Sequence, residues 1–141
     1  MSLSPFHLAI PVNDLAAARH FYGTVFDLPE GRSSDHWVDF DFFGHQLVIH
    51  EHRPEGAAPA LPTSSVDGHA VPVPHFGLVL GWAEWETLAA RLQDFGTAFV
   101  IEPYVRFKGL PGEQATMFLL DPCGNALEFK AFKDLGQMFA K

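Results

Sequence analysis

A single cysteine, Cys123, is the only thiol in this chain of 141 residues. No internal disulfide can form, which suits a reducing compartment, and a cytoplasmic location is expected. Long apolar runs are missing as well. No stretch approaches 18 uninterrupted apolar residues, so no membrane-spanning helix is expected. The N-terminus has no basic region followed by an apolar run, so no signal peptide is expected either. Positive charge is scarce: nine Lys and Arg stand against 17 Asp and Glu, a formal net charge of −8. Such a surface repels phosphate backbones and argues against nucleic acid as a partner. What the chain does have is apolar content, 48% of it, enough to build one compact domain with a sizeable core. It also has eight histidines, and their positions matter more than their number.

Taken in order, Phe6 to Val12 reads as a strand with His7 near its start. Asn13 or Asp14 can cap a helix whose apolar face carries Leu15, Ala18, Phe21, Tyr22 and Val25. Gly31 to Ser34 reads as a turn or short edge strand, Trp37 to Phe43 as a half-buried strand, and Gln46 to Glu51 as the returning one. These elements fill residues 5–52. Residues 53–73 change texture, with Pro54, Pro59, Pro62 and Pro72 among small and polar residues, and read as a linker or a loop covering a site. The order then restarts in residues 74–132. His75 heads a strand to Leu80, and a helix follows with Trp85, Leu88, Ala89, Leu92 and Phe95 on one face, closed by Gly96. Phe99 to Phe107 is extended, and Ala115 to Leu120 with Ala126 to Phe132 forms a hairpin around Asp121-Pro122-Cys123-Gly124-Asn125. Residues 133–141 read as a C-terminal tail. The aromatic clusters Phe40, Phe42, Phe43 and Trp82, Trp85 are read as core or interface.

The chain is therefore expected to be one α+β domain of two βαβββ modules, each with an apolar-faced curved mixed sheet that needs a partner to close a core. His7 opens module one, His75 opens module two, and Glu128 stands mid-strand in the last strand of module two. A carboxylate held between Leu127 and Phe129 is costly unless something positive meets it. Alone, a strand histidine is more often an ordinary hydrogen-bonded residue than a ligand. At repeat-equivalent places, two imidazoles and a carboxylate form a facial triad for one divalent metal.

With these residues assembled, the chain resembles the vicinal oxygen chelate superfamily of glyoxalases, bleomycin-resistance proteins, extradiol dioxygenases and fosfomycin thiol transferases. The resemblance covers about residues 5–132. It rests on Phe6-His7-Leu8-Ala9-Ile10-Pro11-Val12, Asp14-Leu15, Phe21-Tyr22, His75-Phe76-Gly77-Leu78 and Asp121-Pro122, Gly124-Asn125, Glu128. It implies two paired modules around a central cleft, a small-molecule substrate, a homodimer, and one divalent metal held by His7, His75 and Glu128. Fe2+ leads that expectation, ahead of Zn2+, Ni2+, Mn2+ or Co2+. His50 is a candidate fourth ligand or acid/base group, because glyoxalase I-like members take a fourth ligand from that strand. Counting from Gly44 as Glu128 counts from Gly124 reaches Val48 instead, so His50 needs a difference in the turn.

Three ligands without His50 suit an extradiol dioxygenase, which is the reading taken. Against it, Met117 and Phe118 occupy a strand where many such enzymes have a tyrosine. A glyoxalase I-type isomerase or lyase, a thiol transferase, and a metal-free bleomycin-binding protein are the alternatives. Arg106 and Lys108, with Tyr104 and Gln114 flanking, are the candidate substrate contacts for a carboxylate, phenolate or phosphonate.

Overall fold

The computed structural model describes residues 3–56 and 61–141; residues 1–2 and 57–60, Pro59 among them, lie outside the described residues. The chain divides into two compact units, residues 1–59 with 121–125, and residues 60–120 with 126–141.

The first unit contains β1 (His7–Val12), α1 (Leu15–His20), one π turn (Phe21–Val25), β2 (Glu30–Ser33), β3 (Trp37–Phe42) and β4 (His45–Glu51). Asp14 is the cap of α1, its Oδ1 accepting from Ala17 N–H at 3.0 Å, which satisfies a donor the first turn leaves open. The expected apolar face is buried from Ala18 through Phe21, Tyr22 and Val25. Along β3, Val38, Phe40 and Phe42 are buried while Trp37, Asp39 and Asp41 face outward, as strand alternation requires. The sheet order is β1-β4-β3-β2, with β1 parallel to β4 and the remaining pairs antiparallel.

The second unit repeats this topology. Its elements are β5 (Thr63–Val66), β6 (His69–Pro72), β7 (Phe76–Leu80), α2 (Trp82–Asp94), β8 (Phe99–Arg106), β9 (Gln114–Leu120), β10 (Ala126–Phe132) and a 3-10 turn at Leu135–Gln137. The main sheet runs β7-β10-β9-β8, with β7 parallel to β10. Helix α2 buries Trp85, Leu88, Ala89 and Leu92, and Trp85 Nε1–H donates to Phe129 O at 2.9 Å. Ala115, Met117 and Leu119 of β9 and Leu127, Phe129 and Ala131 of β10 are fully buried on one sheet face. Glu128, Lys130 and Phe132 stand half-buried on the other. The α+β architecture of two βαβββ modules is the one the sequence predicts.

The stretch 53–73 departs from the expected linker. Its second half is a two-stranded ribbon, with Thr63 opposite Pro72 and Val66 opposite His69. The cause is local: Asp67 and Gly68 adopt φ of 49° and 80°, the backbone that a two-residue hairpin turn demands and that Asp-Gly supplies. The prolines Pro62 and Pro72 sit at the open end of the ribbon, where a missing N–H is tolerated.

Candidate metal and substrate site

On the half-buried face of the second unit, three strands converge on Glu128. Gly77 of β7 is its register partner on one side and Phe118 of β9 on the other. The carboxylate is only 18% exposed, and its two oxygens have separate partners. Oε1 accepts from Thr116 Oγ1 at 3.1 Å and lies 3.4 Å from Lys130 Nζ. Oε2 faces His75 Nε2 at 3.3 Å.

His75 stands just before β7, its ring edge-to-face against Phe118 at 4.9 Å between centroids. Its Nδ1 is 2.8 Å from Pro72 O. A carbonyl can only accept, so Nδ1 carries a proton; in the neutral ring that tautomer makes Nε2, the nitrogen facing Glu128, the one free to bind a metal. His7 in the first unit is prepared the same way. Its Nδ1 lies 2.8 Å from Gln46 Oε1, and Gln46 Nε2 donates to Asp39 Oδ2 at 3.3 Å. Since the Asp39 carboxylate accepts, Gln46 must present its oxygen to His7, so Nδ1 carries a proton and Nε2 is again the metal-binding nitrogen of the neutral ring. A carbonyl oxygen behind the distal nitrogen is the outer-shell arrangement that metal-binding histidines use.

The donors fit a divalent cation in type and spacing. Nε2 and Oε2, 3.3 Å apart, can both come within the about 2.0–2.2 Å of one ion that imidazole and carboxylate ligands take. Of the three expected ligands, the structure brings His75 and Glu128 together and places His7 in the other unit. Among the described residues, no three His, Cys, Asp or Glu side chains gather into a metal-holding group.

Strand register gives the same position as the count from the turns, Val48, and sets His50 two residues beyond it. His7 pairs with Gln46 and Ala9 with Val48, while Gly77 pairs with Glu128. Measured from the leading histidine of each module, the counterpart of Glu128 is therefore Val48, which is buried. His50 is two residues further on, exposed, opposite Pro11 and Trp37.

Tyr104 and Arg106 reach the site's face from β8, Tyr104 opposite Thr116 and Arg106 opposite Gln114. Both are engaged by the tip of the β5–β6 ribbon. Tyr104 Oη donates to Asp67 Oδ2 at 2.5 Å, and Arg106 Nη2 donates to Oδ1 at 3.0 Å. Arg106 Nε stands 2.6 Å from Oδ2 as an ion-pair contact, off the hydrogen-bonding axis. The Tyr104 hydrogen bond, aided by the Arg106 charge, holds the Asp67 carboxyl below the usual carboxylate range. Desolvation and then the Asp67 contact push the Tyr104 phenol up. Lys108 lies beyond the end of β8 on an exposed turn, apart from this cluster. The sequence reading missed Asp67, Thr116 and Lys130. Asp-Gly was a visible turn signal, and Lys130 follows Glu128 by two residues on one strand face; Thr116 becomes a neighbour of Glu128 only through strand register.

The Glyoxalase/Bleomycin resistance protein/Dioxygenase superfamily matches residues 4–129 of the chain. The chain belongs to this superfamily. Its structure is similar to that of a glyoxalase/bleomycin resistance protein/dioxygenase from Alicyclobacillus acidocaldarius, at 33% identity, TM-score 0.75 and 96% coverage of both chains. It is also similar to lactoylglutathione lyase from Agrobacterium tumefaciens, at 20% identity, TM-score 0.65 and coverage of 98% of this chain and 97% of that one. The fosfomycin resistance protein FosX from Listeria monocytogenes, at 19% identity and TM-score 0.64 with 97% of each chain covered, shares the fold as well. No curated protein matches the chain. Members of the glyoxalase superfamily generally use a divalent metal, and no helix of the described residues is long and apolar enough to cross a membrane.

Proposed function

We propose that this glyoxalase-superfamily chain is a divalent-metal-dependent enzyme of extradiol-dioxygenase type, acting on a small substrate through two adjacent oxygens. The observation that carries the reading is the meeting of His75 Nε2 and Glu128 Oε2 at 3.3 Å, each atom oriented from behind. His75 and Glu128 are ligands, and His7, whose Nδ1 is likewise engaged by a carbonyl oxygen, is the third. Lewis-acid stabilisation of charge developing on the substrate oxygens is the chemistry a bound divalent ion supplies. Thr116 and Lys130 fix the rotamer of Glu128 by holding Oε1, so Oε2 is presented without rotation. Fe2+ is the first candidate ion, with Zn2+, Ni2+, Mn2+ and Co2+ as the others. A cytoplasmic homodimer is the proposed setting.

Val48 favours this chemistry over a glyoxalase I-type isomerase or lyase. The residue that would supply a fourth ligand from module one is a buried valine with no donor atom. His50 remains a candidate only by reaching from two residues further on.

Metal analysis of the full-length protein purified without chelator tests the assignment. His75→Ala and Glu128→Ala, and His7→Ala with them, are expected to retain less than about one tenth of the wild-type metal, since loss of even an outer-shell partner costs about 10–100-fold in affinity. His45→Ala, whose Nδ1 accepts from Phe6 N–H, and His50→Ala are expected to retain it. Full occupancy in the three ligand variants sinks the site. Metal lost in His50→Ala moves the reading to the isomerase or lyase. A wild-type protein without metal moves it to the bleomycin-resistance type of binding protein.

A further inference from the structure

The β5–β6 ribbon sits on the candidate site's face in the manner of a bound molecule. Its tip presents the Asp67 carboxylate to Arg106 and Tyr104. Its flanks present Val71, buried in a cluster with Ile101, Phe118 and Ala126, and Val66, packed against that cluster beside Tyr104. An anion held by one guanidinium hydrogen bond, one guanidinium ion contact and a phenol, joined to an apolar body lying on an aromatic ring, describes a ligand as well as a loop. The same Phe118 carries the His75 ring on its edge and pairs with Glu128. An arginine-tyrosine clamp, an apolar floor and the candidate ligand pair thus lie in sequence across one sheet face.

We infer that Arg106 and Tyr104 form the substrate-carboxylate clamp of this enzyme, that the ligand is an apolar carboxylic acid, and that Asp67 is a built-in competitor which the ligand displaces. The span sets the ligand's size. Tyr104 and Glu128 lie two strands and one alternate position apart, which by strand spacing is about 12 Å between their backbones. Val66 and Val71 of the ribbon fill that span, and their departure would free a space suited to an aromatic ring carrying a short acidic arm. The ribbon is built to yield. It pairs with no other strand, and most of its residues are exposed. An isolated two-stranded ribbon has little stability of its own, so Asp67 and the two valines hold its tip and flanks in place, and Pro72 O, facing His75 Nδ1, anchors its open end.

This inference deepens the proposed reaction and rests on it for the word substrate; the clamp itself contains no metal ligand. The test is titration calorimetry of the full-length chain with cinnamate, metal content being measured on the same preparations. Asp67→Asn keeps the turn and a hydrogen-bonding group but removes the competing charge. It is expected to bind cinnamate about tenfold more tightly than wild type, since the fraction of protein with an open clamp scales the apparent affinity. Asp67→Asn/Arg106→Gln is expected to lose that binding, and the neutral amide cinnamamide is expected not to bind. In wild type, saturating cinnamate is expected to speed hydrogen exchange at the β5 and β6 amides, a readout that needs no variant. Equal affinity of wild type and Asp67→Asn, absence of binding by both, or binding that survives loss of Arg106 overturns the inference. Arg106-dependent binding in a protein that carries no metal leaves the clamp standing and removes only the proposed reaction.

Discussion

Gly77→Ala is expected to destabilise the protein by about 3 kcal/mol or more, the upper range for forcing atoms into a packed site, and to strip its metal. The reason is a close backbone approach. A Cβ on Gly77 would lie 1.6 Å from the carbonyl oxygen of Glu128 and 2.6 Å from its carbonyl carbon. Neither atom belongs to a flexible side chain, so β7 would have to move away from β10. The parallel pairing from Phe76–Leu127 to Leu80–Ala131 would be strained along its length. His75, one residue before β7, would move with it, opening the 3.3 Å meeting with Glu128. Thermal unfolding and metal content of the purified variant check both parts. A Gly77→Ala protein with wild-type melting temperature and full metal would show that the two strands are not packed this closely. Among strand glycines Gly77 is the one whose lack of a side chain builds the site.

Much of this was legible in the sequence and some was not, for definite reasons. The two modules could be read because strand alternation in Trp37–Phe42 and helical spacing in Trp82–Asp94 are set locally by burial of one face. Glu128 stood out because a carboxylate between Leu127 and Phe129 has to be explained by its partners. Position along a strand was harder to read. Counting from turns left Val48 and His50 in competition, since the turn after β3 has two residues and the one after β9 has five. Parallel pairing with β1 decides the position, and that pairing is non-local. The β5–β6 ribbon was obscured by proline content, a compositional signal that outweighed the specific one in Asp67-Gly68. The contacts of Thr116 with Glu128 and of Asp67 with Arg106 join residues 12 and 39 positions apart, and only the folded sheet brings them together.

The turn after β9 supports the second large effect. Asp121 is buried, at 4% exposure, and its carboxylate receives four hydrogen bonds. Oδ1 accepts from the N–H of Cys123 at 2.8 Å and of Asn125 at 2.9 Å. Oδ2 accepts from Asn125 Nδ2 at 2.9 Å and Tyr22 Oη at 2.8 Å. Tyr22 is itself fully buried, so its hydroxyl has no water to turn to. Asp121→Ala would strand several donors at once, at about 1–3 kcal/mol for each one left buried. A total loss of about 3–5 kcal/mol is therefore expected, a large part of the stability of a domain this size. Asn125 Nδ2 also donates to Pro11 O at 2.8 Å, so the loss should loosen the end of β1 as well as the turn. Tyr22→Phe removes one donor and leaves three, and should cost about 1 kcal/mol. The pH dependence separates the two. Burial, then the neighbouring Asp121 carboxylate, pushes the Tyr22 phenol well above its ordinary value. A raised value means that the folded state favours the neutral phenol. Its contribution is complete below about pH 10, where the unfolded tyrosine is also neutral, and is lost as pH rises through the folded value. Denaturant unfolding of wild type should therefore weaken above about pH 10 by an increment that Tyr22→Phe lacks. Parallel alkaline declines in the two proteins would mean that the hydroxyl is not held by Asp121 in a dry site.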